Sequence, residues 1–281
     1  MIMKKTFRPW QVDQSLLLPP SVHDFVACDH PAHFIRDLVR DQLDITAIVE
    51  SYDEARGYPP YDPWMMTALL LYGYSRGVYS SRRLARGCEE RLDFMAVTAL
   101  NKPDFRTISD FRKRHLVALS DLFVQVLRLC QKAGLVELGH VALDGTKIKA
   151  NASKHIDAIE ANTGRRPGEA SADVGYCSES NLEALEERRV RAYLATGRQK
   201  HPDGGEAQRR GPKVEAMRQR LRRGGYRSRY RLRKQIVEPV FGQIKEARGF
   251  RQFLMRGIDK VSGEWALICT VHNILKLQKA T

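Results

Sequence analysis

The stretch HVALDGTKIKAN, residues 140–151, marks the place where the pattern of the chain changes. Its apolar residues 141–143 lead directly into Asp144 and Gly145, and a short apolar run of this kind predicts a buried strand. Asp144 then stands where the strand leaves the core. Because a carboxylate is costly to remove from water unless it is paired or binds a cation, this position indicates a functional role.

The segments on the two sides of this stretch follow different patterns. Upstream, residues 30–133 contain helix-start signals and amphipathic runs, which predict an all-helical half. Downstream, strand-like runs alternate with helical ones in a βαβαβ order, which predicts a parallel sheet. We therefore expect an α/β protein with a helical N-terminal domain at 1–136 and a second domain at 137–281.

The last helical run of the first half carries a cluster of basic residues. Thr107 with Asp110 resembles a capping box, and Arg112, Lys113 and Arg114 fall in the early turns. A short helix, a turn and a basic helix start are compatible with a helix-turn-helix DNA reader, for which these three basic residues would contact DNA. The alternative is a helical bundle with a basic face, which is common in proteins that bind no DNA.

The charge of the chain is its strongest bulk property. The formal net charge is +14 and the isoelectric point is about 9.7. A surface of this kind releases counterions when it meets a polyanion, so we expect nucleic acid as the partner. The excess is concentrated in a basic segment, residues 209–235, in which Glu215 is the single acidic residue. Candidate DNA contacts in it are Arg222, Arg223 and Arg229; the alternative is a solvated linker.

Targeting signals are not evident in the chain. The longest apolar stretch, residues 65–71, is much shorter than the roughly 20 residues that a membrane span needs. The N-terminus has no apolar region behind its lysines. The five cysteines include no C-x-x-C pair, which fits a reducing compartment. We expect a cytoplasmic, nucleoid-associated protein that does not enter a membrane.

Acidic residues in this basic chain indicate a second feature. Asp144 and Asp173 each follow a short apolar run, so both belong at the carboxyl edge of the predicted sheet. Glu238 can join them from a helix, with Lys245 two turns further along the same face. Three converging carboxylates favour Mg²⁺ or Mn²⁺. The alternatives are a helix-cap role for Asp173 and a salt bridge between Glu238 and Lys234.

Four motifs together resemble a bacterial insertion-sequence transposase of the DDE class with an InsH-type N-terminal domain. They are PPYDPWMMTALLLYGYSRGVYSSRRLARGCEE at 59–90, HVALDGTKIKANASKH at 140–155, ADVGYCSESNLEALEERR at 172–189 and VEPVFGQIKEARGF at 237–250. The resemblance implies an RNase H-like catalytic core and Mg²⁺-dependent cleavage at transposon ends. It also implies strand transfer into target DNA by the freed 3′-hydroxyl. The implied partners are double-stranded DNA, as terminal inverted repeats and as target, and a second copy of the chain in a homodimer.

The resemblance also implies roles for individual residues. The catalytic, metal-binding triad maps onto Asp144, Asp173 and Glu238. The accompanying Y-R-E-K signature is matched by Tyr230, Arg233, Glu238 and Lys245, with one extra residue between Arg233 and Glu238. Arg233 and Lys245 would position phosphates of the cleaved strand.

One departure from the family pattern concerns the catalytic core. An RNase H-like sheet has two further strands between the two aspartates, whereas only residues 145–155 precede the next predicted helix. We therefore expect a shortened core that lacks two outer strands, with the first strand at an exposed edge beside the strand that follows the helix. Two other functions stay open: a DNA-binding derivative without catalysis, and a nuclease of this fold that acts on RNA.

Overall fold

The structure of the protein is a computed structural model that describes residues 21–52, 59–143, 152–196 and 211–280. The strands are β1 (His140–Leu143), β2 (Glu169–Ala172) and β3 (Arg191–Leu194). The helices are α1 (Pro31–Asp41), α2 (Thr46–Val49), α3 (Pro63–Ser75), α4 (Ser81–Glu90), α5 (Leu92–Thr98), α6 (Phe105–Arg114), α7 (Leu116–Lys132), α8 (Ala152–Thr163), α9 (Glu179–Glu187), α10 (Pro212–Gly224), α11 (Leu232–Gly242) and α12 (Ile258–Gln278).

Helix α3 is the centre of the helical half. Its start follows from two neighbouring residues, because Asp62 accepts a hydrogen bond from the Met65 N–H at 3.0 Å and Pro63 is already fixed in a helical φ. Every residue from 66 to 75 is buried, as expected for a helix that is apolar on all sides. Across the described ranges, no helix combines the length and the apolar character that a bilayer span requires.

The basic run that we expected to begin at Thr107 forms two helices, α6 and α7, which are separated at His115. Asp104 caps α6, because its Oδ1 accepts hydrogen bonds from the N–H groups of Arg106 and Thr107. The Thr107 hydroxyl donates to Asp104 Oδ2 at 2.7 Å. The expected capping box at Thr107 was therefore wrong, because the carboxylate three residues upstream already satisfies the N–H groups of the first turn.

The predicted βαβαβ unit is confirmed. The three strands are parallel in the order β1-β2-β3, with α8 and α9 as the two crossovers. In the register, Leu143 lies opposite Ala172, and Ala172 lies opposite Leu194. Within the described part of the chain, β1 pairs with β2 alone and so occupies an edge of the sheet.

The two faces of the sheet differ in chemistry because successive side chains alternate. One face is apolar: Ala170 and Ala192 are buried together with Met217 of α10 and Leu185 of α9. The opposite face is polar. It carries His140, Glu169, Ser171 and Tyr193, of which Ser171 is fully buried.

The C-terminal helix completes the core of the helical half. Four side chains of α12, Leu267, Ile268, Val271 and Ile274, are buried in the same cluster as α3 and α7. A second, smaller core surrounds the sheet. The expected division into 1–136 and 137–281 therefore does not coincide with the division of the two cores, since the end of the chain returns to the first one.

Candidate functional site

Asp173 directly follows β2, and its side chain is about half exposed, with 49% of its surface accessible. Its Oδ1 accepts a hydrogen bond from the Val174 N–H at 2.7 Å, as the cap alternative predicted. Its other oxygen, Oδ2, lies 3.9 Å from an Nη2 atom of Arg233 in α11. The structure thus brings together two of the predicted site residues while leaving a large part of the Asp173 carboxylate accessible.

Asp144 lies outside the described residues. The strand that precedes it is described, and Leu143, its last residue, is paired with Ala172. In the sequence, these two partners are followed by Asp144 and Asp173. Both strands therefore end at the same edge of the sheet, as the sequence predicted.

Glu238 lies on α11 with an exposed side chain. The alternative salt bridge with Lys234 is not formed, and Glu238 makes no ion pair within the described ranges. No group of three or more His, Cys, Asp or Glu side chains that could hold a metal occurs among the described residues, which do not include Asp144. The carboxylate oxygens of Asp173 and Glu238 are the hard donors that Mg²⁺ and Mn²⁺ prefer.

Lys245 lies in a π-helical segment, Gln243–Ala247, that continues α11. Its Nζ is 5.2 Å from the centre of the Phe241 ring, a cation–π distance. The expected shared face of Glu238 and Lys245 assumed an α-helix throughout, and the wider π turn changes the angle between them. A spacing of seven residues is therefore not enough to place Glu238 and Lys245 on one face of this helix.

A polar network beneath the start of α11 was not predicted. The Glu169 carboxylate lies 3.0 Å from an Nη1 atom of Arg229 and 3.1 Å from His140 Nδ1. The other ring nitrogen of His140 is 3.0 Å from the Ser171 hydroxyl. Alternate polar residues at 140, 169 and 171 were the signal in the sequence, because such alternation within strands indicates one polar face.

The basic segment is folded wherever it is described. Residues 212–224 form α10, and short 3₁₀ turns lead from it into α11, so the linker alternative is wrong for this part. Arg222 and Arg223 are exposed in the last turn of α10. Arg229 is paired with Glu169, and Tyr230 is half-buried in the turn before α11.

The three basic residues of α6 differ in environment. Arg112 is buried, and its guanidinium donates hydrogen bonds to the Tyr74 hydroxyl, the Tyr79 carbonyl and the Ser81 hydroxyl. The expectation that Arg112 contacts DNA is therefore not supported, because its donors serve the core. Lys113 is exposed, and its Nζ lies 3.7 Å from Asp110 Oδ1. Arg114 is also exposed, and its guanidinium donates a hydrogen bond to the Ser51 carbonyl at 2.8 Å.

Two family models match the chain. Residues 20–114 match a family described as Transposase domain (DUF772), and residues 198–278 match one described as Transposase DDE domain. The second match includes Tyr230, Arg233, Glu238 and Lys245, whereas Asp144 and Asp173 lie between the two matches. No curated protein and no solved structure matches the chain.

The two matches indicate a transposase with a DDE domain. The helical first half and the parallel sheet with a carboxylate at its edge are consistent with this class. Within that class, the two matches support an insertion-sequence DDE transposase.

Proposed function

We propose that the chain is an enzyme that cleaves DNA at transposon ends in a metal-dependent reaction and transfers the cut strand into target DNA. The single observation that carries this proposal is the parallel register of β1 and β2, which end side by side at Leu143 and Ala172. Because Asp144 and Asp173 follow these two strands in the sequence, we expect both carboxylates at the same edge of the sheet, where they can form one site.

Asp144, Asp173 and Glu238 would hold Mg²⁺ or Mn²⁺ in this proposal. The donor chemistry fits, since all three are carboxylates and the two described ones are accessible to solvent. When bound, the cations would supply charge stabilisation at the scissile phosphate and a more acidic water molecule. An RNase H-like arrangement of the core would account for the parallel strands that the structure contains.

The protein's own residues would bind and orient the DNA strand. Cleavage breaks the bond between phosphorus and the 3′-oxygen as a water oxygen attacks the phosphorus, and a proton from the water goes to the departing 3′-oxygen. The freed 3′-hydroxyl then attacks a target phosphorus, and the target's own 3′-oxygen leaves as a new 3′-hydroxyl. Arg233, which lies beside Asp173, would hold a phosphate of the cut strand, and Lys245 and Tyr230 would contact the same strand. Arg222, Arg223, Arg229, Lys113 and Arg114 would contribute phosphate contacts along the duplex.

The partner in this proposal is double-stranded DNA, both the terminal inverted repeats and the target. The chain would act as a homodimer on DNA, in the cytoplasm and associated with the nucleoid. The net charge of +14 supports a polyanionic partner.

We further propose that this core lacks two outer strands and therefore cleaves DNA slowly. In the described residues β1 has a strand neighbour on one side only, which supports the idea. A carboxylate next to an unsupported edge is held less firmly, and a displacement of about 1 Å can cost on the order of a hundredfold in rate. The exposed edge should also favour aggregation.

A metal titration combined with a nicking assay tests the proposed function. We expect weak Mn²⁺ binding by calorimetry that is lost in Asp173→Asn and in Glu238→Gln but kept in the control Glu160→Gln, an exposed carboxylate of α8. Nicking of element-end DNA should be slow and should require Mg²⁺ or Mn²⁺. If Mn²⁺ still binds in both site variants, the proposed metal site is wrong. If the wild type nicks DNA rapidly and Asp144→Asn abolishes the nicking, only the proposal of slow cleavage is wrong.

A further inference from the structure

An aromatic ring with two arginines on it lies on the surface of the helical half. Phe105, the first residue of α6, keeps 38% of its surface exposed. The guanidinium carbon of Arg82 lies 5.3 Å from the ring centre, and that of Arg106 lies 5.7 Å from it. Both are cation–π distances, so one ring orients two guanidinium groups from neighbouring helices.

The arginines of this surface form no ion pair among the described residues, and the nearby Asp104 carboxylate at the N-cap of α6 attracts Arg106 only from beyond ion-pair distance. Arg82, Arg83 and Arg106 are exposed, and no ion pair joins any of them to an acidic residue in the described parts of the chain. Arg86, on the same helix as Arg82, is paired with Glu90 at 2.8 Å. The surface around Phe105 thus presents free cationic donors, unlike the ion-paired arginine one turn further along α4.

The position of two of these arginines points to an anionic ligand. Arg82 and Arg83 lie in the first turn of α4, where the positive end of the helix dipole disfavours cations. Ser80, at the N-cap of that helix, makes no capping hydrogen bond with its side chain. A bound anion would offset this unfavourable concentration of positive charge, because it attracts both the arginines and the N–H groups of the first turn.

We infer that the Phe105 surface, made of Phe105, Arg82, Arg83 and Arg106, binds the phosphate backbone of double-stranded DNA. The inference rests on the proposed function and relocates the DNA contact of the helical half from Arg112 to the exposed start of α6. Planar guanidinium groups bind phosphate oxygens through two parallel hydrogen bonds. Because the ring already restricts two of the side chains, less conformational freedom is lost when DNA binds.

The test measures the salt dependence of binding by fluorescence anisotropy, with the full chain and a labelled duplex of random sequence. The double variant Arg82→Gln with Arg106→Gln should lower the slope of log K against log salt by between about 1 and 2. The matched control, Arg40→Gln with Arg86→Gln, removes the same charge from two exposed, ion-paired arginines and should leave the slope unchanged. Phe105→Leu should weaken binding about two- to fivefold at low salt.

The outcomes separate this inference from the function on which it rests. Equal slopes in the two double variants, with unchanged thermal midpoints, would overturn the Phe105 surface while wild-type binding still supported the proposed function. A wild-type chain that binds no duplex would contradict the proposed function itself. Stronger competition by single-stranded RNA than by unlabelled duplex DNA would overturn the assignment of the partner.

Discussion

Arg229 and Glu169 form an ion pair, with 3.0 Å between Nη1 and Oε1, that joins the chain leading into α11 to the middle strand of the sheet. The same carboxylate also contacts His140 of β1 at 3.1 Å. One acidic side chain, only 13% exposed, therefore connects the edge strand, the middle strand and the segment before α11. Since Glu238 and Arg233 lie on α11, this connection supports the placement of the candidate site.

Replacing Glu169 with Gln should destabilise the part of the protein that contains the sheet. Glu169→Gln keeps the size of the side chain but removes its charge and leaves one accepting oxygen where Arg229 and His140 now contact two. We expect a loss of about 1–3 kcal/mol in the free energy of unfolding, measured by urea denaturation. The exposed pair of Glu160 with Arg166 offers a control, and Glu160→Gln should cost less than about 1 kcal/mol. Equal losses in the two variants would argue against the connecting role.

Arg112 should be a stability residue and not a DNA contact. Arg112→Ala leaves the Tyr74 hydroxyl and the Tyr79 carbonyl without their donor, and we expect a loss of about 3 kcal/mol or more in the free energy of unfolding. Burial raises the pKa of Tyr74 to about 12, so its hydroxyl stays neutral in this network. The neighbouring variant Lys113→Ala should cost about 0.5 kcal/mol or less. A variant Arg112→Ala that is as stable as the wild type would contradict the buried network.

The helical half should not fold without the C-terminal helix. A fragment of residues 1–136 lacks Leu267, Val271 and Ile274, which are buried against α3 and α7 in the whole protein. We expect this fragment to retain helical far-ultraviolet circular dichroism, to lose the near-ultraviolet signal and to bind a hydrophobic dye. Cooperative thermal unfolding of the fragment, comparable with that of the full chain, would show that 1–136 is a domain by itself.

The contact between α12 and the start of α7 should tolerate only glycine at position 263. A Cβ atom at Gly263 would lie 2.6 Å from Leu116 Cγ, so Gly263→Ala should cost about 1–3 kcal/mol of stability. Combining it with Leu116→Ala should recover part of that loss relative to the sum of the single variants, as a double-mutant cycle measures. Gly242→Ala is the control, because a Cβ at that helical position meets no atom within 4 Å. Additive losses at 263 and 116 would contradict the close contact.

Stability should fall in mild acid because of His272. Burial, followed by Lys276 and Arg248, lowers the pKa of His272 from 6.5 to about 4. Arg248 donates to Nδ1 at 3.1 Å, so the folded state holds a neutral ring with its proton on Nε2. Between pH 6.5 and about 4 the unfolded chain binds this proton while the folded chain does not, so stability decreases as the pH falls through that window.

The size of this effect approaches about 1.4 kcal/mol per pH unit in the middle of the window. Comparing the wild type with His272→Gln by urea denaturation from pH 7 to pH 4.5 removes the contribution of all other groups. The wild type should lose more stability than the variant over this range. Parallel curves for the two proteins would contradict the lowered pKa.

The sequence by itself determined the parts of the fold that depend on local patterns. The strand-like runs near 141–143, 170–172 and 191–194, with helical segments between them, predicted the parallel βαβαβ unit that the structure contains. Asp62 followed by Pro63 is one of the helix-start signals in residues 30–133, and α3 begins there because capping involves only neighbouring residues. The motifs likewise identified the family. These features are local in the chain, or are carried by short motifs, so no knowledge of the packing was needed.

Only the tertiary structure decided how distant segments meet. It placed Arg112 in the core through contacts with residues more than 30 positions away, and it brought α12 back to the first core. Arg112 lies in the last turn of α6, where a basic residue is ordinarily exposed, and its burial depends on acceptors that distant segments supply. The Arg229–Glu169 pair spans 60 residues for the same reason. Periodicity fixes which face of an element a side chain occupies, whereas the partner on that face depends on the packing of the whole chain.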